Sequence, residues 1–175
     1  ATGFIGKKLL TVLVNRGHKV SVLTRDPESA RRRLPINCDI HRWEPELYPP
    51  SLQAFDDVNA VIHLASANIA DGRWTISRKK SIKDSRVLST RNLVSTLKSL
   101  KNPPETFLSA SAIGFYGNDK PVELYEDLQP GNGFLADVCK EWEHEAFIAQ
   151  DHNIRTIALR IGIVLGYDGG ALKKM

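Results

Sequence analysis

The feature that most constrains this chain is an alternation of helical and extended segments along its whole length. Apolar residues recur at helical spacing from Phe4 to Arg16, from Ile76 to Leu100 and from Leu135 to Ala146. Between these helices lie short segments rich in apolar and β-branched residues, namely KVSVLT, AVIHLA, TFLSASAI and IRTIALRIGIVLG. Helical crossovers between successive strands pair those strands in parallel. The sequence therefore predicts an α/β fold with a doubly wound parallel sheet.

One domain accounts for the whole chain, residues 1–175. The length and the 42% hydrophobic content suffice for a single sizeable core. No internal repeat, low-complexity tract or linker divides the sequence, and its apolar runs are shorter than the roughly 20 residues that a membrane span needs. We expect one soluble domain without a membrane partner.

The charge of +4 does not indicate nucleic-acid binding, because Lys and Arg are interleaved with Asp and Glu. The local basic group, Arg25 with residues 31–33, is explained by one small anionic ligand or by solvation. Cys38 and Cys139 are far apart in the sequence and lack the spacing of metal ligands. We therefore expect reduced, half-buried cysteines, no metal and a cytoplasmic location.

The first six residues, ATGFIG, have the features of a phosphate-binding turn. Gly3 and Gly6 stand three residues apart at the start of a helix, where bare backbone and unpaired N–H groups can approach a pyrophosphate. The alternative is that both glycines only pack the helix against a strand. The context favours binding of a dinucleotide, and the predicted binding residues are Thr2, Gly3, Phe4, Ile5 and Gly6. Such a turn usually follows a strand and an earlier glycine, so we expect the first strand of this dinucleotide-binding, Rossmann-type fold to be lacking.

The end of the second predicted strand indicates which dinucleotide is bound. NAD sites commonly place an acidic residue there, whereas an arginine suits the additional 2′-phosphate of NADP. This chain has Thr24 and Arg25 at that point. Asp26 precedes a proline and fits a turn or a helix cap better than a ribose ligand. We predict that Thr24 and Arg25 bind NADP in preference to NAD.

Several motifs then follow one another in a distinctive combination: TGFIG, VLTR, AVIHLA, ADGRWT with SRVLST, SASAIGFYG, FLADVCKEWE, and LRIGIVLG with DGGAL. Together they resemble the extended short-chain dehydrogenase/reductases, in particular the epimerase/dehydratase-like branch of sugar-nucleotide epimerase-like proteins. The resemblance spans essentially the whole chain. It implies an NADP-binding Rossmann domain, followed in full-length relatives by a smaller C-terminal domain that completes the substrate cleft. We expect that second domain to be lacking here.

The resemblance also assigns further residues to the cofactor. Leu64 and Ala65 follow the AVIHLA strand, where the backbone closely approaches the dinucleotide. Ser109 and Gly162, on later strands, are assigned to the same site. His63 is either a packed, hydrogen-bonded core residue or a catalyst, and a single histidine on a buried strand favours the core.

Ser111 and Tyr116 are the candidate catalytic residues. Relatives use a Ser or Thr to hold the substrate oxygen, a Tyr as acid/base, and a Lys four residues later that lowers the pKa of that Tyr. Ser111 fits the first role by position, although a hydroxyl bonded to nearby backbone is an equal alternative. Tyr116 is the best substitute for the second, and its alternative, a packed aromatic, is favoured.

The tyrosine–lysine pair itself is missing from its expected place. Tyr116 and Lys120 have the right spacing, but the turn formers between them and the proline after them exclude a shared helix face. In the family the pair belongs on the next helix, FLADVCKEWEHEA, which contains no tyrosine. The two alignments available on that helix are Ala136 with Lys140 and Leu135 with Cys139.

Two functions therefore stay open. The first is an NADP-dependent oxidoreductase or epimerase that exchanges hydride with a nucleotide sugar or related carbonyl compound, with Ser111 orienting its oxygen. The second is an NADP-binding regulatory or interaction module without turnover, in line with the cell-division-inhibitor labels of some members of this branch. A basic segment either holds an anionic substrate or begins a solvated helix, and its residues are Arg73, Trp74, Lys79 and Lys80. We expect a small-molecule substrate as the partner, and this expectation is compatible with a homo-oligomer.

Overall fold

The computed structural model describes residues 1–34, 38–118 and 123–171. Lys120, the second residue of the Tyr116–Lys120 string, lies outside these ranges. The helices are α1 (Phe4–Asn15), α2 (Pro27–Arg33), α3 (Ile76–Ser99) and α4 (Phe134–Phe147). The strands are β1 (Ser21–Thr24), β2 (Asp39–Arg42), β3 (Ala60–His63), β4 (Thr106–Ala112), β5 (Arg155–Ile161), β6 (Leu165–Gly166) and β7 (Gly169–Gly170). Short 3-10 helices lie at Leu52–Phe55, Ile113–Tyr116 and Ile148–His152.

The parallel strands form two sheets. β1 pairs with β2, and β4 lies between β3 and β5 in a three-stranded sheet. The prediction of parallel strands linked by helices, and with it the Rossmann-type α/β class, is confirmed. The single predicted sheet is divided, since no strand among the described residues joins β1 to β3. A further difference is the antiparallel β6–β7 hairpin. The last predicted strand, IRTIALRIGIVLG, is interrupted after Ile161, so that its final two residues form β6, while β7 lies in the predicted glycine-rich loop.

The larger core cluster lies around Phe107 on β4, whose side chain is fully buried. The other buried members of this cluster are Trp43, Ala54, Phe55, Leu93, Val94, Leu97, Ala146, Ala149 and Ile154. Because side chains alternate along a strand, Phe107, Ser109 and Ser111 share one face of β4. A smaller cluster under α1 and α2 consists of Leu10, Val22, Ala30 and Leu34.

Local sequence explains where the helices begin. The Asp26 carboxylate accepts a hydrogen bond from the Ser29 backbone N–H at 2.9 Å, so its predicted capping role is confirmed. Thr75 caps α3 in the same way through the Arg78 N–H.

Within the described ranges, no helix combines the length and the hydrophobicity that crossing a bilayer requires.

This topology brings the predicted site residues to one edge. β3, β4 and β5 run parallel, so the segments that follow their carboxyl ends lie side by side. Leu64 and Ala65 follow β3, the 3-10 helix at Ile113–Tyr116 follows β4, and Gly162 follows β5.

Candidate functional site

The predicted phosphate turn is open at Gly3. This residue caps α1 with φ −79° and ψ 176°, and no side chain caps the first N–H groups of the helix. A Cβ at Gly3 would meet no atom within 4 Å. The turn therefore offers free space in front of unpaired backbone donors, which is the arrangement that an anion needs.

Gly6 serves a different purpose from Gly3. A Cβ there would lie 2.7 Å from the Cα and from the carbonyl oxygen of Ala1. The absence of a side chain thus allows the chain's own backbone to cross the helix closely. Thr2, just before the turn glycine, is partly buried, and Ile5 in the first turn of α1 is 39% exposed.

The Phe4 ring packs against the β6–β7 hairpin. A Cβ at Gly166 would lie 2.2 Å from the ring, and one at Gly169 would lie 2.4 Å from it. Lys8 and Asp168 form an exposed ion pair at 3.0 Å beside this contact. A groove of about 520 Å³ runs along the same side of α1 and is lined by residues of α1 and of the hairpin. Contact with the aromatic residue of the turn therefore explains Gly169 of the DGGAL motif, whereas Gly170 has a φ of +74° and a Cβ there would lie 2.3 Å from the Val164 carbonyl oxygen.

Arg25 lies at the end of β1 with an exposed side chain. In the described parts of the chain its guanidinium has neither a hydrogen bond nor an ion pair. The Thr24 hydroxyl accepts a hydrogen bond from the Asp26 N–H at 3.4 Å, which ties the turn after β1 in place. Arg25 is thus a free cation at the strand end where a 2′-phosphate is predicted.

The backbone after β3, which contains Leu64 and Ala65, is fixed to helix α3. The Ala67 N–H donates to the Ser85 hydroxyl at 3.0 Å, and the Arg86 Nη2 donates to the Ala67 carbonyl at 3.1 Å. Arg78 donates to the carbonyl of Asn68. The chain directly after the predicted cofactor residues Leu64 and Ala65 is therefore bonded to side chains of one helix.

His63 is a packed core residue. Its Nε2 lies 3.2 Å from the Ser89 hydroxyl, and its ring stacks on Phe107 with a centroid distance of 6.5 Å. Burial lowers the pKa of His63 from 6.5 to about 4. The prediction that favoured a core histidine over a catalyst is confirmed.

This depressed pKa predicts that acid destabilises the fold. Between pH 6.5 and pH 4, His63 is protonated in the unfolded chain but stays neutral in the folded chain. The free energy of unfolding therefore falls by on the order of 3 kcal/mol over this range. Chemical denaturation at a series of pH values measures this fall. His63→Gln should flatten it, whereas substituting the exposed His18 by Gln should leave it unchanged. Equal slopes in the wild type and His63→Gln would contradict the assignment.

Ser111 and Tyr116 are joined by one buried network. The Ser111 hydroxyl donates to Glu143 Oε1 at 2.5 Å. Arg160 makes a two-pronged contact with Glu143, from Nε to Oε1 at 2.9 Å and from Nη2 to Oε2 at 3.0 Å. The Arg160 Nη1 donates to the Tyr116 hydroxyl at 2.8 Å. Both predicted catalytic hydroxyls are thus brought to the same Arg–Glu pair.

The network lies in a largely dry environment. The side chains of Arg160 and Glu143 are 18% and 7% exposed, and the hydrogen bonds to Glu143 raise the pKa of Arg160. The guanidinium carbon of Arg160 also lies 3.5 Å from the centre of the Phe115 ring. Glu143 was not predicted as a site residue. Its position four residues after Cys139, on the apolar face of α4, is the signal that identifies it.

The structure decides which residues of α4 occupy the tyrosine and lysine positions. A Cβ at Gly114 would lie 3.3 Å from the Leu135 Cβ and 3.9 Å from the Cys139 Sγ, so these two side chains face the end of β4. Lys140 instead is exposed and pairs with Asp137 at 2.6 Å. Leu135 and Cys139 therefore face Gly114 after the end of β4, and the lysine of this helix does not.

Ser109 and Gly162 differ in their surroundings. Ser109 is 1% exposed, and its hydroxyl donates to the Ala110 carbonyl at 3.1 Å. Gly162 is exposed, and a Cβ there would only touch the Ile113 side chain at 3.8 Å. The structure thus brings Gly162 to the open edge of the sheet and leaves Ser109 within the core.

The basic segment before α3 folds onto the start of α4. Trp74 donates from Nε1 to the Ile69 carbonyl at 2.9 Å, and its ring lies edge-on to Phe134 at 5.7 Å. Lys79 lies over the same Phe134 ring at 5.4 Å, and Lys80 pairs with Asp84. Arg73 is exposed. Both interpretations, an anion-binding surface and a solvated helix start, are compatible with these contacts.

The sequence of this chain is similar to those of known proteins. The sequence profile described as "NAD dependent epimerase/dehydratase family" matches residues 1–174. An epimerase family protein of Mycobacterium leprae is 34% identical over the whole chain, which covers 54% of that protein. The chloroplastic SDR39U1 homolog of Arabidopsis thaliana is also 34% identical, with 100% of this chain and 50% of that protein covered. The chain thus spans about half the length of these curated relatives.

Solved structures match the fold closely. The human epimerase family protein SDR39U1 (isoform 2), crystallised with NADPH, superposes with a TM-score of 0.82 at 27% identity and covers 99% of this chain and 55% of that one. UDP-glucuronic acid 4-epimerase from Bacillus cereus, in complex with NAD, gives a TM-score of 0.75 at 22% identity, with 97% and 57% covered. At that identity the second likeness concerns the fold alone.

Proposed function

This chain belongs to the NAD dependent epimerase/dehydratase family, and on that premise we propose that it binds NADP and takes part in hydride exchange with a nucleotide sugar or related carbonyl compound. The observation that carries the proposal is the open phosphate turn at Gly3 together with the free Arg25 guanidinium at the end of β1. Bare backbone donors suit the pyrophosphate, and an unpaired arginine suits the 2′-phosphate.

The relatives support NADP as the cofactor. The human relative was crystallised with NADPH, and the more distant Bacillus cereus epimerase with NAD. A preference for NADP over NAD in this chain rests on Arg25, because the two cofactors differ by the phosphate that this arginine would contact.

Substitution of Arg25 tests that preference. Arg25→Ala should raise the dissociation constant of NADPH about tenfold and leave that of NADH nearly unchanged, because only NADPH loses a charge-assisted hydrogen bond. Fluorescence titration of the nicotinamide measures both constants. Arg16→Ala is the matched control, since this exposed arginine lies at the other end of α1, about 18 Å from the turn. Equal affinities of the wild type for NADPH and NADH would overturn the assignment.

We further propose separate roles for the two hydroxyls of the network. The Ser111 proton is directed to Glu143, so its oxygen is left to accept a hydrogen bond from a substrate hydroxyl. The Tyr116 oxygen accepts from Arg160, so its own proton is left to donate. NADP, when bound, supplies the hydride acceptor or donor. Ser111 and Tyr116 then hold the reacting oxygen, and Arg160 with Glu143 fixes both of them.

A second candidate function is cofactor binding without turnover, as in a regulatory or interaction module. The observation in its favour is that Leu135 and Cys139 face Gly114 after the end of β4, whereas Lys140 is turned to solvent. A screen of nucleotide sugars and simple carbonyl compounds, followed at the nicotinamide absorbance band, separates the two functions. Turnover supports the enzyme, and tight NADPH binding without turnover supports the module.

Three further proposals follow from the same reasoning. Residues 1–175 form one nucleotide-binding unit, because residues from both ends of the described chain, Phe4 and the β6–β7 hairpin, pack together. A small molecule is the partner, rather than a nucleic acid or a membrane, and homo-oligomerisation is left open. A cytoplasmic location agrees with the free thiols of Cys38 and Cys139.

A further inference from the structure

Arg86 is a partly buried cation on the side of α3 that faces α4. It projects from α3, and its guanidinium donates to the carbonyls of Ile82 at 2.9 Å and Ala67 at 3.1 Å. These acceptors are neutral, and no carboxylate among the described residues pairs with Arg86. Burial lowers the pKa of Arg86, and the nearby charge of Arg78 lowers it further. The fold therefore keeps an uncompensated charge at a place where desolvation opposes it.

Arg86 also contacts helix α4, on the face of that helix that carries Cys139. Its guanidinium carbon lies 5.3 Å from the centre of the Trp142 ring. Cys139 precedes Trp142 by three residues and so lies one turn away on the same face of α4. Burial raises the pKa of the Cys139 thiol, and the charge of Arg86 opposes the rise. Cys139 thus lies on the face of α4 that the Arg86 guanidinium approaches.

The other charges of the site are already balanced. Glu143 is neutralised by the two-pronged contact with Arg160, and the ion pair of Lys140 with Asp137 lies at the surface. Arg86 instead contacts α4 at Trp142, and no carboxylate of the described residues is paired with it.

We infer that Arg86 supplies to the site, from the neighbouring helix, the positive charge that a lysine at position 139 would supply. This inference rests on the proposed function, since the ligand whose charge the guanidinium would influence is the nicotinamide end of NADP and the substrate oxygen at Ser111. An uncompensated cation favours an anionic substrate oxygen and disfavours the oxidised nicotinamide ring, which itself carries a positive charge. The reduced, uncharged ring of NADPH is thereby favoured over NADP⁺.

The ratio of the dissociation constants of NADP⁺ and NADPH tests this role, because a general loosening of the site weakens both nucleotides alike. Arg86→Met should lower the ratio about tenfold. Arg86→Lys, and the double variant Arg86→Met with Cys139→Lys, should both return it to within about threefold of the wild type. An unchanged ratio in Arg86→Met would overturn the inference. The inference would also be overturned if Arg86→Lys restored the ratio and the double variant did not. The ratio would then depend on the contacts made at position 86 and not on a positive charge near Ser111.

A stability measurement without nucleotide keeps the inference separate from the proposed function. Cys139→Lys alone places two cations together, so it should lower the melting temperature. In the Arg86→Met background, Cys139→Lys should lower the melting temperature by less than about half of the loss that it causes in the wild type. Equal losses in both backgrounds would show that Arg86 does not act at position 139. Failure of the wild type to bind either nucleotide would instead defeat the proposed function, and the melting temperatures would still decide the placement of the charge.

Discussion

Glu143→Ala is expected to lower the free energy of unfolding by about 3–5 kcal/mol. The substitution leaves the Arg160 guanidinium, 18% exposed, without its carboxylate, and it deprives the buried Ser111 hydroxyl of its acceptor. An unpaired buried charge and an unsatisfied hydroxyl both cost free energy that the folded state does not recover. Urea denaturation followed by circular dichroism measures the change.

The same helix provides the control. Glu141 pairs with Lys83 at 2.7 Å, but both side chains are exposed, at 46% and 42%. Glu141→Ala should therefore cost less than about 1 kcal/mol. If the two substitutions destabilised the protein equally, the loss would reflect helix α4 in general and not the buried network. If Glu143→Ala were nearly neutral, the network would not hold Ser111 and Tyr116 in place.

Phe107→Ala is expected to cost about 3–5 kcal/mol as well. Phe107 is fully buried at the centre of the larger core cluster, so removing the ring leaves a cavity between β4 and the helices. The ring also stacks on His63, and the cavity should make that imidazole easier to protonate. Thermal and urea unfolding measure the stability, and the fall in stability between pH 6.5 and pH 4 should become smaller.

Phe147→Ala is the matched comparison for this prediction. Phe147 ends α4 and is 36% exposed, so its loss removes less buried surface and opens no closed cavity. It should cost less than half as much as Phe107→Ala. A larger effect at Phe147 would mean that the core is centred elsewhere.

The sequence was sufficient for the elements with strong periodicity or a strong local signal. The apolar spacing of α1 and α3 and the capping residue Asp26 each reflect short-range physics, and the structure has them where they were expected. The β6–β7 hairpin was missed because two-residue strands rich in glycine carry neither periodicity nor β-propensity. Its formation depends on the Phe4 ring, which is distant in sequence.

The site shows the same limit more clearly. Ser111 and Tyr116 were identified by position, but their connection through Glu143 and Arg160 depends on α4 packing over β4 and β5. Sequence spacing alone left two alignments for the tyrosine and lysine positions, Ala136 with Lys140 and Leu135 with Cys139. In both alignments the two residues are four apart on the same helix. Only the approach of Leu135 and Cys139 to Gly114 decides between them. Tertiary contacts, rather than helical spacing, settle that choice.

The division of the strands into two sheets affects how this chain opens. Ladder hydrogen bonds do not pass from the β1–β2 pair to the β3–β4–β5 sheet in the described chain, and the two core clusters are separate. The β1–β2 pair and the three-stranded sheet are thus two units that are linked by side-chain packing, in which Leu23 of β1 and Trp43 after β2 meet the larger core cluster. A dinucleotide that contacts both Arg25 and Leu64 would tie these units together, so that its binding energy appears as shared protection against exchange.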